Sequence, residues 1–251
     1  MLRIGGRGWT RAGMVAVVLA VAGAAQAGKT PDPLRLWVKA AITIAPDGRI
    51  TSLAWDEKRD AVKRIATLLE PRVRALEFEP GQIDGVPVET ETTLSLTLLL
   101  SETADRGMDV AIADAHTGTI AIDMPPPMYP KAALYGHKEA EVTLDVEIAA
   151  DGRLSLLGTD YRGGAKGDRK LFEQASIEAA SRWTYRVERV GGHAVAARMS
   201  IPVSFCLEPS SRPWCKSGDS VRKTADGRMV PAGEAVALDS VVRLKTDLAG
   251  I

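Results

Sequence analysis

AADGRL, residues 149–154, and APDGRI, residues 45–50, are the same punctuation written twice, about a hundred positions apart. Asp-Gly is a hairpin signal, because a two-residue turn needs positive φ at its centre, which glycine supplies freely and aspartate tolerates. The flanks decide whether the match extends further. Upstream of the second turn, Val142, Leu144, Val146 and Ile148 alternate with polar residues, as in a half-buried strand. Leu154, Leu156 and Leu157 open a return strand that ends near Asp160. The glycine-rich loop YRGGAKGD leads to Asp168, a residue able to cap a helix, and Leu171, Phe172, Ala175, Ala179 and Trp183 share one helical face. A long final strand then alternates at Val195, Ala197, Met199, Ile201, Val203 and Phe205.

The first half follows the same order. Val38, Ala40, Ile42 and Ile44 alternate into Asp47-Gly48, and the chain returns through Ile50 and Leu53. Val62, Ile65 and Leu69 form a helical stripe, which Pro71 is expected to end or kink. Leu76, Phe78, Gly85, Val88, Leu94, Leu96 and Leu98 sit 107 positions before Trp183, Tyr185, Gly192, Val195, Ile201, Val203 and Phe205. The turns themselves are offset by 104. The expected fold is α+β, with two related units that each pack a helix on a small antiparallel sheet. Their bounds are 28–101 and 125–208, joined by a linker over 102–124 and followed by a C-terminal extension over 209–251. ADGRM at 225–229 reads as a hairpin or loop of that extension.

Residues 1–27 carry Arg3, Arg7 and Arg11, then an apolar run from Met14 to Gly23, then Ala25-Gln26-Ala27. That is the pattern of a cleavable secretory signal, with an apolar run shorter than the roughly 20 residues that span a bilayer. Its removal leaves 29 basic and 32 acidic residues, a net charge of −3, against the phosphate-binding basic surface of a nucleic-acid partner. Cys206 and Cys215, the two cysteines of the chain, read as a disulfide in an oxidising compartment.

PPPMYPKAALYGHKEAEV at 125–142, with the hairpin, the helix ending in Trp183-Thr184-Tyr185 and the closing IPVSF, resembles the C-terminal domain of the TonB family. Tyr129-Pro130, Ala132 or Ala133, Gly136, Asp151-Gly152, Trp183 and Tyr185 carry the resemblance over 125–208. Glu139 departs from it, standing where a second glycine often follows, and Tyr185-Arg186-Val187 replaces an aromatic-x-Pro step that the first half keeps as Phe78-Glu79-Pro80. The first half lacks the Tyr-Pro lead-in and reads as a degenerate copy. The resemblance implies a periplasmic protein of a Gram-negative bacterium that binds a protein or extended peptide, an outer-membrane receptor segment among the candidates, by edge-strand pairing. The expected contacts are Tyr129 and Pro130 together with Val195, Ala197, Met199, Ile201, Val203 and Phe205. Pairing of the two copies, within one chain or in a homodimer, is the competing use of such an edge. A membrane-anchored energy transducer is the alternative role; it requires the N-terminus to stay uncleaved, the one route to membrane contact. The long proline-rich linker of that role is missing, the proline cluster being Pro125-Pro126-Pro127 and Pro130. No catalytic motif, metal-ligand spacing or cofactor site is legible: His116, His137 and His193 are scattered, and GGAKGDRK lacks phosphate-loop spacing. The expected protein is not an enzyme and needs no cofactor.

Overall fold

A computed structural model describes residues 33–248, apart from 104, 106, 209, 211, 216–220 and 225. The secretory signal expected over 1–27 lies outside the described residues. In the first half, β1 (Leu34–Ile44) turns into β2 (Ile50–Trp55), and α1 (Asp60–Arg74) follows. The short strands β3 (Phe78–Glu79), β4 (Gln82–Ile83) and β5 (Val86–Pro87) lead into the long β6 (Thr90–Glu102). Next come β7 (Met108–Gly118), β8 (Ile120–Asp123) and the short helix α2 (Lys131–Tyr135). In the second half, β9 (Ala140–Ile148), β10 (Leu154–Gly163) and α3 (Arg169–Ala180) precede β11 (Thr184–Arg186), β12 (Arg189–Val190) and β13 (His193–Ala194). The strand β14 (Ala197–Phe205) closes that half. The tail holds β15 (Val221–Lys223), β16 (Met229–Pro231), β17 (Val236–Ala237) and β18 (Arg243–Leu244).

The two halves share their element order, and the offsets read from the sequence recur in the element bounds. β2 and β10 begin 104 positions apart, while β4 and β12, β5 and β13, and β6 and β14 each begin 107 apart. Each half has its own apolar core. Val38, Ile42, Leu69, Val73, Phe78, Leu94 and Leu96 belong to the first. Val142, Leu144, Phe172, Ala179, Ile201 and Phe205 belong to the second. Alternation explains this, since a strand sends every other side chain to the helix-covered face.

Several local expectations change. Both Asp-Gly turns are one residue longer than a two-residue hairpin: Gly48 N–H donates to Ala45 C=O and Ala45 N–H to Arg49 C=O, with the same pair of bonds at Gly152–Ala149 and Ala149–Arg153. Positive φ is needed only at the glycines, +89° at Gly48 and +81° at Gly152. At Gly48 a Cβ would meet the Phe78 carbonyl oxygen at 2.1 Å, so contact as well as conformation demands glycine there. Pro71 lies inside α1, which continues to Arg74 and buries Val62, Ala66, Leu69 and Val73 against the sheet. Asp168 precedes α3 without a side-chain cap; its carboxylate instead accepts from Lys138 Nζ at 2.6 Å. β10 runs on to Gly163 past a bulge between Leu156 and Gly158.

The stretch 102–124, expected as a linker, is the main correction. Its strand β7 pairs with β6 from Thr93↔Gly118 to Glu102↔Met108 and buries Ile112 and Ala115. β8 pairs with β11. A long strand with one edge bare is an unsatisfied row of N–H and C=O groups, and the nearest chain fills it. The extension 209–251 is also structural. The disulfide Cys206–Cys215, with its Cα atoms 5.5 Å apart, ties its start to the end of β14. The hairpin β15–β16 flanks residues 224–228, β17 pairs with β14, and β18 pairs with β3 of the first half.

Candidate functional site

The second sheet runs β10-β9-β14-β17. β9 pairs with the whole of β14, from Ala197↔Ile148 to Phe205↔Ala140. On the opposite, outer edge of β14, β17 joins the sheet. Which residues own that edge follows from one pair of bonds. Arg198 C=O accepts from Leu238 N–H at 2.8 Å, and Arg198 N–H donates to Asp239 Oδ1 at 2.8 Å. Arg198 thus directs both main-chain groups away from β9. In an antiparallel ladder this direction alternates residue by residue. Ser200, Pro202 and Ser204 face outward with Arg198, and Ala197, Met199, Ile201, Val203 and Phe205 face β9.

This corrects the residue set expected from sequence. The side chains of Ala197, Met199, Ile201, Val203 and Phe205 are buried in the second core, and their main-chain groups belong to the β9 ladder. Val195 lies before β14, half-buried, donating its N–H to Glu188 C=O. Apolar alternation finds the strand, but the main-chain groups facing away from β9 belong to the other half of the same alternation. Tyr129 is also used internally. Its ring meets Phe172 and Phe205 edge-on, at 6.2 and 5.6 Å, and its hydroxyl donates to Lys138 C=O at 2.6 Å. Pro130 is half-buried and precedes α2. Trp183 fixes the proline-rich lead-in by donating Nε1–H to Pro125 C=O at 2.9 Å.

The outward groups are not equivalent. Arg198 is engaged by the tail, and Ser200 stands opposite Val236 of β17. Pro202 has no N–H, so its place on the outer side costs the β9 ladder nothing, and its side chain is buried. Ser204 is exposed. Among the described residues, no strand pairs with the outer edge of β14 beyond Ser200.

Charges surround this edge. Glu139 accepts from Leu207 N–H at 2.8 Å and lies 3.8 Å from Arg212 Nε; the backbone hydrogen bond from Leu207 is the main cause of a carboxyl held below its usual range. The residue that departs from the family pattern thus anchors the disulfide loop. On the face of β9 turned from the core, Glu141 is pushed up by burial, opposed by Arg162 at 3.6 Å and by Arg222. Burial holds Arg222 below the usual arginine range; it donates to Glu234 C=O at 2.7 Å. Glu188, 1% exposed, accepts from Thr92 Oγ1 and Ser240 Oγ at 2.7 Å and from Val241 N–H at 3.1 Å, joining both halves to the tail. Nothing in the sequence pattern marks Glu188 or Asp239, and Glu139 stands out only as a departure from the family pattern, because their partners are distant along the chain. Among the described residues, no group of three or more His, Cys, Asp or Glu side chains is placed to hold a metal ion.

The comparisons with known proteins meet this geometry at 125–207, where the sequence matches the family of the Gram-negative bacterial TonB protein C-terminal. Residues 125–207 form a TonB C-terminal domain. Two curated relatives, each named Protein TonB and from two strains of Xanthomonas campestris pv. campestris, are 32% identical to it over 85 residues. The alignment covers 34% of this chain and 36% of each relative, so the chain spans little more than a third of their length. The solution structure of the Pseudomonas aeruginosa TonB CTD is 25% identical, over 37% of this chain and 89% of that one, with a TM-score of 0.28. The TonB C-terminal domain thus ends at the disulfide, and the tail that pairs with its last strand lies beyond the match.

Proposed function

We propose that the TonB C-terminal domain of this protein is a protein-interaction module in outer-membrane transport, accepting an extended segment of a partner on the outer edge of β14. One observation carries the reading: this edge already accepts an antiparallel strand, β17, through Arg198 and Ser200. Strand addition draws affinity from main-chain hydrogen bonds. Arg198, Ser200 and Ser204 can each give and take one bond, whereas Pro202 can only accept. The partner class is an extended segment of an outer-membrane receptor.

The protein acts in the periplasm, exported through residues 1–27, and its role is binding, with no catalytic step. Residues 28–101 are a diverged copy of the domain, kept for packing. The reading is tested by titrating the full chain with synthetic peptides covering the periplasm-facing N-terminal segments of outer-membrane receptors, while following backbone amide shifts. Binding should perturb Arg198, Ser200 and Ser204. Shifts confined to β10, the opposite edge strand of the sheet, or no binding by any peptide, would overturn it.

A further inference from the structure

We infer that the tail segment Glu234–Asp239 is an intramolecular ligand of the β14 edge, which keeps the site closed until an extended partner displaces it; this rests on the strand-acceptor reading above. Three observations support it. The segment makes the contacts an added strand would make. Leu238 N–H donates to Arg198 C=O, Val236 stands opposite Ser200, and the Asp239 carboxylate takes the Arg198 N–H that a partner carbonyl would otherwise receive. With Pro202 lacking a donor and buried, Ser204 is the one exposed residue of the outward set left beyond β17. The edge cannot take a second strand of useful length while the segment is seated.

The segment is also held from both sides. Upstream, the Cys206–Cys215 bond ties the tail to the end of β14. Downstream, Val242 is buried in the first core, and its C=O accepts from Thr117 Oγ1 at 3.1 Å. A segment tethered this way competes intramolecularly, without needing high intrinsic affinity. Finally, the seated part is small. β17 pairs through two residues, whereas β7 pairs with β6 over nearly its full 11 residues. Lifting those two residues from the edge uncovers Val236, 3% exposed, and breaks the Arg228 Nη2 bond to Ala237 C=O at 3.1 Å, while the tether points stay fixed. An incoming strand then sees its intrinsic affinity reduced by the fraction of molecules that are open.

The test uses the full chain and a fluorescent synthetic peptide of sequence GEAVALDSV, residues 233–241. Binding is compared between the wild type and the double variant Leu238→Pro, Asp239→Ala, which removes the donor to Arg198 and the cap on its N–H. The peptide should bind the variant at least about tenfold more tightly. In the wild type, hydrogen exchange at the Leu238 amide should be slow. Equal affinity for both proteins, or no binding to a folded double variant, would overturn the inference. If the double variant does not fold, Asp239→Ala alone decides together with the exchange data, and a Leu238 amide exchanging at the unfolded-chain rate would overturn it. If the tail peptide binds the opened variant and receptor peptides do not, edge closure stands and the receptor reading falls.

Discussion

The same strand edge is closed in both halves of this molecule, but by very different amounts of chain. In the first half, β7 pairs with β6 from Thr93 to Glu102, and β12 continues along that edge at Glu91 and Thr90. In the second half, β17 engages β14 at Met199 and Ser200. Position 95 of β6, a serine opposite His116 of β7, corresponds at the 107-residue offset to Pro202, which cannot donate. One edge is the interior of a wider sheet, and the other is an edge with a small cover.

The largest expected effect sharpens the question of how independent the halves are. Phe172 is fully buried between Phe205, Tyr129 and Tyr161, with ring centroids 4.9 Å apart at Phe205. Phe172→Ala should cost about 3–5 kcal/mol, through lost burial and the cavity left behind. Urea denaturation gives the total, and hydrogen exchange locates it. If β9 and β14 lose protection while β1 and β6 keep theirs, the halves are separate cooperative units; equal loss in both would break the comparison.

A smaller effect is expected where the halves are joined. Glu188→Ala leaves Thr92, Ser240 and the Val241 N–H without their buried acceptor, at a cost of about 1–3 kcal/mol. Because the tail's Ser240 lies just beyond Asp239, the same variant should speed exchange at Leu238 without changing that at β7. Unchanged exchange at Leu238 would mean that the junction does not hold the cover in place.

The smallest effect is a pH dependence confined to the second half. At the 104-residue offset, Trp37 of β1 corresponds to Glu141 of β9. Burial raises the Glu141 carboxyl, so between the ordinary glutamate range and its raised value the native state binds more protons than the unfolded chain. Its contribution therefore lowers stability as pH rises through that window and is constant above it. Glu141→Gln should remove this slope from urea midpoints measured across the window. A wild-type contribution that rises with pH there would show that Arg162 and Arg222 outweigh burial.

Much of this was legible in the chain itself. The hairpins, the helices and the alternation of β9 and β14 depend on neighbours two to four residues apart, and so they appear as period and punctuation. The strand character of 108–118 was missed because its alternation is carried by alanine and valine around Ile112, a pattern too weak to read without the edge of β6 beside it. The residues whose main-chain groups face away from β9 were not legible for a related reason. Hydrophobicity shows which side chains enter the core, but the direction of a backbone N–H depends on the neighbouring strand.

The amino-acid sequence alone determined the element order shared by the two halves, the α+β class, the paired cysteines and the TonB C-terminal resemblance, because each rests on local spacing or on residue identity. Tertiary structure alone decided what covers the edge of β14, which residues form that edge, and how Glu188 joins both halves to the tail. Those facts bring together groups up to 96 positions apart, as with Thr92 and Glu188. No local pattern encodes such pairs; they exist only once the buried main-chain and carboxylate groups have found partners in the folded chain.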